Sequence, residues 1–245
     1  MKPETYIIGD IHGAFRALEQ VISQAPLQAA DTLIFLGDYV DGWSQSAEVI
    51  DYLITLRQTY SCIFIRGNHD TWCESWLQSG KADATWLFHG GQSTVTAYCN
   101  LSDAIKKQHL EFFNRMQDYY VDANNDLFIH AGYTSMHGPA KEVHASDYSW
   151  DRTLWETALS ADPALTTQDL FFPKRLSLFR NIYIGHTPTT HYNVFTPMQA
   201  LNVWNIDTGA AFHGKLTMMQ VSTKQYWQSE TVQTLYPGEK GRNKD

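Results

Sequence analysis

An α/β fold is predicted, and three observations predict it. Apolar runs of strand length alternate with helix-spaced apolar positions through the first hundred residues. Each of these runs ends in a polar loop that contains glycine, and 245 residues at 43% hydrophobic content are enough for one large core. Residues 5–9 read as a buried strand, after which Phe15, Leu18, Val21, Ile22 and Ala25 recur at helical spacing until Pro26 stops the helix. A second strand at 32–36 leads to a helix over 46–57, with Ala47, Ile50, Leu53 and Ile54 on one face, and a third strand at 61–65 follows. Residues 70–116 read as mainly helical, interrupted at Gly90-Gly91. A turn cluster at 122–126 precedes a strand at 127–129 that ends at His130, and residues 139–180 are irregular or short-helical around Pro139, Pro163 and Pro173. Strands return at 182–184, 200–206 and 216–221. Residues 1–236 are expected to form a single domain, and 237–245 a polar, frayed C-terminal tail.

Charge and composition narrow the function classes. With 18 Lys plus Arg against 26 Asp plus Glu, the net charge is −8, which argues against nucleic acid or an anionic membrane as the main partner, since both require clustered cations. No stretch approaches the roughly 20 apolar residues that span a bilayer, and the N-terminus shows no secretory pattern, so the cytoplasm is the expected compartment. Cys62, Cys73 and Cys99 form an odd, widely spaced set without Cys-x-x-Cys and read as ordinary thiols. Neither charge nor cysteine count sets an oligomeric state.

The chemistry concentrates in five segments, each just after an apolar strand: Gly9-Asp10-Ile11-His12-Gly13, Gly37-Asp38-Tyr39-Val40-Asp41, Gly67-Asn68-His69-Asp70, His130-Ala131-Gly132 and Gly185-His186-Thr187-Pro188. Ligands gather at the carboxyl ends of strands in sheets flanked by helices. In Asp10-x-His12 an extended backbone points both side chains the same way, so one carboxylate and one imidazole can share an ion. Asp38 has two oxygens and could bridge two ions. Asn68, His130 and His186 add oxygen and nitrogen donors with no thiolate, a set suited to Mn²⁺, Fe or Zn²⁺ at a two-metal centre. A single Asp or His after a strand is most often a cap or a satisfied polar group; five such segments in order, nearly all flanked by glycine, weigh against that reading.

The order GDIHG, GDYVD, RGNHD, HAG and GHTP resembles the phosphoprotein phosphatase family of binuclear metallophosphatases, within the calcineurin-like metallophosphoesterase superfamily, in its bacterial and phage serine/threonine phosphatase form. Asp207-Thr208-Gly209 and Gly214-Lys215-Leu216 resemble the closing strands of that family, so the likeness covers most of the chain. It implies a central β-sandwich flanked by helices, where the strand-helix alternation alone suggests a simple parallel sheet. It implies two divalent ions, Mn²⁺ first among the candidates: Asp10 and His12 on one, Asp38 bridging, and Asn68, His130 and His186 on the other. His69 corresponds to the general acid and Asp41 to the carboxylate that orients it. The mechanism implied is direct attack of a dimetal-activated water on a phosphate ester, without a covalent intermediate.

The sequence departs from the family at Gly42-Trp43, where most members have Arg-Gly and the arginine grips substrate phosphate. Arg152, in Ser149-Trp150-Asp151-Arg152, resembles a second phosphate-binding arginine of bacterial and phage members, and Asn68 is expected to join it at the phosphate; a surface arginine beside a helix start is the competing reading. Arg66 and His89 are second-tier candidates, Arg66 because a buried ion pair would explain it equally well. Trp86, His89-Gly90-Gly91 and Thr94 resemble a segment near the site entrance of bacterial relatives, or a helix-helix turn with an aromatic anchor. His109 reads as a helix-surface residue. The eukaryotic C-terminal segment that sets a tyrosine over the site has no clear match. The expected activity is phosphomonoester hydrolysis on phosphoproteins, Ser/Thr and possibly Tyr, or on small phosphoesters. The alternatives are symmetrical dinucleoside polyphosphate hydrolysis, disfavoured by Asp41, and a non-enzymatic metal-binding regulatory module.

Overall fold

The computed structural model describes residues 3–243. Two five-stranded mixed sheets form its centre. The strands are β1 (Thr5–Ile8), β2 (Thr32–Phe35), β3 (Ser61–Phe64), β4 (Tyr119–Val121), β5 (Leu127–Ile129), β6 (Ile182–Ile184), β7 (Met198–Ala200), β8 (Val203–Asn205), β9 (Thr217–Gln220) and β10 (Tyr226–Gln228). The first sheet runs β10-β9-β1-β2-β3 and the second β4-β5-β6-β8-β7. In the first, β1, β2 and β3 are parallel, with Ile7 opposite Ile34 and Ile34 opposite Ile63. In the second, β5, β6 and β8 are parallel, and the outer strands β4 and β7 pair antiparallel.

Period-2 alternation sorts each strand's side chains into two cores. Ile7, Ile34, Phe128, Tyr183 and Met219 pack between the sheets in one buried cluster. Phe128 and Tyr183 stack there with ring centroids 4.9 Å apart. The opposite face of the first sheet, carrying Tyr6, Ile8, Leu33, Phe35 and Met218, packs beneath α1 (Phe15–Gln24) and α2 (Ser46–Leu56). Leu127, Ile129, Ile182, Ile184 and Val203 on the second sheet pack against Leu154, Trp155 and Ala158 of α7 (Thr153–Ser160). The fold is therefore a β-sandwich with helices on both outer faces. Its strands are buried on both sides and read as continuous apolar runs, which is why periodicity alone suggested a single parallel sheet.

Helices fill residues 70–116 as expected: α3 (Asn68–Ser79), α4 (Ala84–Trp86), α5 (Gln92–Tyr98) and α6 (Asp103–Phe113), with a π-helical turn over Leu87–Gly91 where an interruption was read. His109 on α6 is a correction, because it is fully buried rather than on the helix surface. Its Nδ1 pairs with Tyr98 Oη at 2.7 Å and its Nε2 with Asp51 Oδ1 at 2.9 Å, so both ring nitrogens are satisfied inside the helical insert. The strand expected over 200–206 is a tight β7–β8 pair around Leu201 and Asn202. β4 and β10, both at sheet edges, carry too little apolar signal to be read from sequence. Among the described residues no helix is long and apolar enough to cross a membrane.

Candidate active site

Parallel pairing brings the carboxyl ends of β1, β2, β3, β5, β6 and β8 to one edge of the sandwich, and the loops that leave them carry Asp10 and His12, Asp38 and Asp41, Asn68 and His69, His130, His186, and Asp207. All five sequence segments thus converge. The backbone there is held in a costly conformation, with positive φ at His12 (53°), Asp38 (52°), Asp41 (74°) and His186 (66°). Asp70, at the start of α3, stabilises this geometry by accepting backbone N–H bonds from Asp38 (2.8 Å), Tyr39 (2.9 Å) and Gly67 (2.8 Å). Gly67 cannot be larger, because a Cβ there would collide with the Asp38 carboxylate.

Two clusters share Asp38. Its Oδ2 lies 3.4 Å from His12 Nε2 and 3.5 Å from His130 Nε2. His12 Nε2 is also 4.0 Å from Asp10 Oδ2. On the other side Asn68 Oδ1 lies 3.3 Å from His130 Nε2 and 3.1 Å from His186 Nδ1. The histidine tautomers follow from their partners: His12 Nδ1 donates to Val40 O at 3.1 Å and His130 Nδ1 to Leu36 O at 2.7 Å, which leaves each Nε2 lone pair turned into the cluster. His186 Nε2 is buried with no partner among the described residues.

These residues fit a pair of divalent ions. Burial, reinforced by Asp207 and Asp38, raises the Asp10 carboxyl well above its ordinary range. Asp38 is pushed to about 7, mainly by burial and against the opposing pull of Arg242. Burial lowers His130 to about 4, and lowers His12 and His186 below the usual histidine range with help from neighbouring cationic groups. Neutral imidazoles, crowded buried carboxylates and an orphaned ring nitrogen form a donor set that a cation would complete. Asp207 was not singled out by its sequence context. It is buried near Asp10, burial pushes it to about 7, and its Oδ1 accepts the Gly209 N–H at 2.9 Å. Its signal was an Asp-x-Gly turn directly after a strand, like the other loops of this edge.

Asp41 and His69 form a hydrogen-bonded pair at the edge of the first cluster, with a His69 ring nitrogen within 4.8 Å of ligand atoms of His12 and Asp38. His69 Nδ1 is 2.6 Å from Asp41 Oδ2, and the same oxygen accepts Trp86 Nε1–H at 2.6 Å while Oδ1 accepts Thr94 Oγ1–H at 2.6 Å. Both are buried: desolvation raises Asp41 to about 7 against those two hydrogen bonds, and lowers His69. Whichever partner holds the shared proton, His69 Nε2 remains the ring atom free to carry a proton into the cavity that His69 lines. Trp86 and Thr94 are thus attached to the catalytic candidates themselves, which goes beyond an entrance segment or a helix-helix anchor. Trp86→Phe keeps the aromatic volume but removes one of the donors that fix Asp41. It is expected to leave metal content intact and lower turnover roughly 10-fold; wild-type turnover in that variant would detach Trp86 from this role.

A cavity of about 120 Å³ opens over the cluster, lined by Asp38, Asn68, His69, Trp72, His89, Trp150, Arg152, His186 and Arg242. The Arg152 guanidinium reaches it and makes no hydrogen bond or ion pair among the described residues. His89 stacks on Trp72 at 6.1 Å, which makes it a wall residue. Arg66 turns away, paired with Glu74 and donating to Phe113 O at 2.8 Å, so it does not line the cavity. The frayed tail is a correction for residues 237–243. Tyr236 stacks on Trp43 with ring centroids 5.2 Å apart, Ser44 Oγ donates to Glu239 at 2.8 Å, and Arg242 N donates to Ala211 O at 2.9 Å. Residues 244 and 245 lie outside the described residues.

Sandwich and buried Asp/His clusters at its loop edge together define a metallophosphoesterase. A family model, calcineurin-like phosphoesterase, matches residues 4–211, and the chain belongs to that family, whose members use divalent metals. The chain is 26% identical over 236 residues to an asymmetrical bis(5'-nucleosyl)-tetraphosphatase, PrpE, of Oceanobacillus iheyensis, covering 90% of this chain and 89% of the relative. It is 24% identical over 226 residues to serine/threonine-protein phosphatase 1 of Salmonella typhimurium, covering 88% and 91%. Among solved structures it resembles a protein serine/threonine phosphatase of Saccharomyces cerevisiae, with a TM-score of 0.64, 15% identity and coverage of 98% and 83%. A metallophosphoesterase of Sphaerobacter thermophilus superposes with a TM-score of 0.56 at 17% identity, covering 93% and 89%.

Proposed function

We propose that this protein is a metal-dependent phosphomonoesterase acting on phosphoserine and phosphothreonine in proteins, and by the same chemistry on phosphotyrosine. The observation that carries the reading is the His69–Asp41 pair, 2.6 Å apart and set beside the shared Asp38 cluster. Asp10 and His12 would hold one ion, Asn68, His130 and His186 the other, and Asp38 would serve both; an oxygen and nitrogen donor set without thiolate favours Mn²⁺, with Fe and Zn²⁺ compatible. When bound, the ions supply Lewis-acid charge to the phosphoryl oxygens and make water more acidic.

The chain's own residues supply the rest. Arg152 and Asn68 bind the non-bridging oxygens and orient phosphorus toward an in-line water. As that water's oxygen bonds to phosphorus, the ester P–O bond breaks, and His69 Nε2 gives its proton to the departing oxygen. Asp41 holds the ring by Nδ1 and stabilises the proton-bearing imidazole, while Trp86 and Thr94 hold Asp41. Trp72, Trp150 and His89 narrow the mouth and limit the access of bulk water.

A second reading is hydrolysis of dinucleoside polyphosphates. It is supported by the resemblance to the tetraphosphatase and by the aromatic mouth, on which a nucleobase could stack. The test is hydrolysis by metal-stripped protein reconstituted with Mn²⁺, read as inorganic phosphate from phosphopeptides and as mononucleotide products (ADP, or ATP with AMP) from diadenosine tetraphosphate, at matched concentration. Preference for phosphopeptides is the expected result. Preference for the dinucleotide would move the substrate, and bound metal with no release from either would support a regulatory module.

A further inference from the structure

The second strand-end loop lacks the family's arginine at position 42, yet the cavity has a second guanidinium. It belongs to Arg242, two hundred residues later in the chain, whose Nη1 lies 3.4 Å from His12 Nε2 and which lines the same cavity as Arg152. We propose that Arg242 is a phosphate-binding residue that takes over the work of the absent arginine, so that the substrate phosphate is held between Arg152 and a residue donated by the C-terminal segment.

The loop at 42–46 is built for this exchange. Gly42 has φ of +107°, a conformation an arginine rarely adopts, and a Cβ there would meet Arg242 Cγ at 3.1 Å. Gly90, across the gap, has φ of +114°, and its Cβ would meet the same atom at 3.2 Å. The two glycines are tied together by Gly42 N donating to Gly90 O at 3.2 Å, and the Arg242 stem passes over both. Trp43, the second departure from the family pattern, is fully buried and donates from Nε1 to Ala210 O at 2.7 Å. Its ring is the seat on which Tyr236 stacks and against which Gly241 rests. Ser44 binds Glu239 through both its backbone N–H (3.0 Å) and its hydroxyl (2.8 Å).

The last anchor is at the arginine itself. Its backbone N–H binds Ala211 O, and its guanidinium lies 5.4 Å over the Phe212 ring. The residues that replaced Arg-Gly therefore hold the segment that brings an arginine back. His12 Nδ1 donates to Val40 O, so Nε2 accepts from the guanidinium, and an ion ligated by Nε2 would release it. A phosphate dianion in the cavity would then take the released guanidinium through a charge-assisted pair.

The inference rests on the phosphoesterase reading, but its test reads phosphate binding rather than turnover. Inorganic phosphate is titrated into Mn²⁺-loaded wild type, Arg242→Ala and Arg242→Lys, with metal content measured on each sample. Arg242→Ala is expected to keep its metal and weaken phosphate binding roughly 10–100-fold. Arg242→Lys should recover part of that loss by charge alone, and methylguanidine should restore binding to Arg242→Ala. Any phosphoester the enzyme turns over should show the Arg242→Ala loss chiefly in KM. Unchanged or tighter phosphate binding by Arg242→Ala would overturn the proposal, tighter binding marking the arginine as a plug. A loss that methylguanidine leaves uncorrected would also overturn it, as the sign of a purely structural anchor. Should no phosphoester be hydrolysed by wild type, the functional reading fails while the phosphate titration still decides the role of Arg242.

Discussion

Asp38→Asn is expected to lose metal from both clusters together and to cut turnover by roughly 10³-fold or more, since both Lewis-acid sites depend on this one carboxylate. Its Oδ2 is 3.4 Å from His12 Nε2 and 3.5 Å from His130 Nε2, while its Oδ1 accepts the His69 backbone N–H at 3.0 Å. An amide cannot keep both arrangements. If its oxygen stays on the His69 N–H, its NH₂ faces two imidazole nitrogens and offers protons where a cation is to be bound. The opposite orientation sets donor against donor at His69. Neutralising a carboxyl that burial has pushed to about 7 also removes charge repulsion from Asp10 and Asp207, so the metal-free variant should melt no lower than metal-free wild type. Elemental analysis and thermal melting, read together, separate loss of metal from loss of fold. Two ions retained at wild-type occupancy would take Asp38 out of both sites.

His69→Asn should behave in the opposite way, retaining metal and losing chemistry. The backbone contact from residue 69 to Asp38 is preserved, so metal content is expected to match wild type. Turnover of an alkyl phosphate is expected to fall about 10²-fold or more, the usual worth of a positioned general acid. A nitrophenyl phosphate, whose leaving oxygen needs little protonation, should lose much less. That difference is the diagnostic, because a variant that merely misplaced the phosphate would slow both substrates alike. Equal losses would remove the proton-donor role from His69, and unchanged turnover would remove His69 from the mechanism.

How much of this was legible before folding depended on whether the signal was local. The parallel strands could be read because each is a short apolar run followed by a glycine-bearing polar loop, as at residues 5–9 and 32–36. The same feature exposed Asp10, His12, Asp38, Asn68, His130 and His186, since strand-end loops are where close backbone approach and positive φ are needed. Asp207 sits in an equivalent turn after β8, in a segment that resembles the closing strands of the family, and only the fold sets it beside Asp10. His109 was placed on the surface because a polar residue on an amphipathic helix normally faces water; Tyr98 and Asp51, from two other helices, make its burial tolerable.

The sequence by itself determined most of the element types and the strand-end positions of the candidate ligands, while the roles of Asp41 and His69 came into view only as what the family resemblance implies. Local pattern suffices for the elements and the positions, because backbone sterics and hydrophobic periodicity act within a few residues. The face-to-face packing of two sheets was implied by the family resemblance and not by local pattern, and only the tertiary structure decided that Trp86 and Thr94 hold Asp41 and that Arg242 reaches the cavity from the far end of the chain. Those outcomes are set by contacts between residues separated by tens to hundreds of positions, such as Trp43 with Tyr236 and Gly42 with Arg242. Such contacts leave no period in the sequence, because they are selected by shape and by the shared need to bury surface and satisfy buried polar groups once the chain has closed on itself.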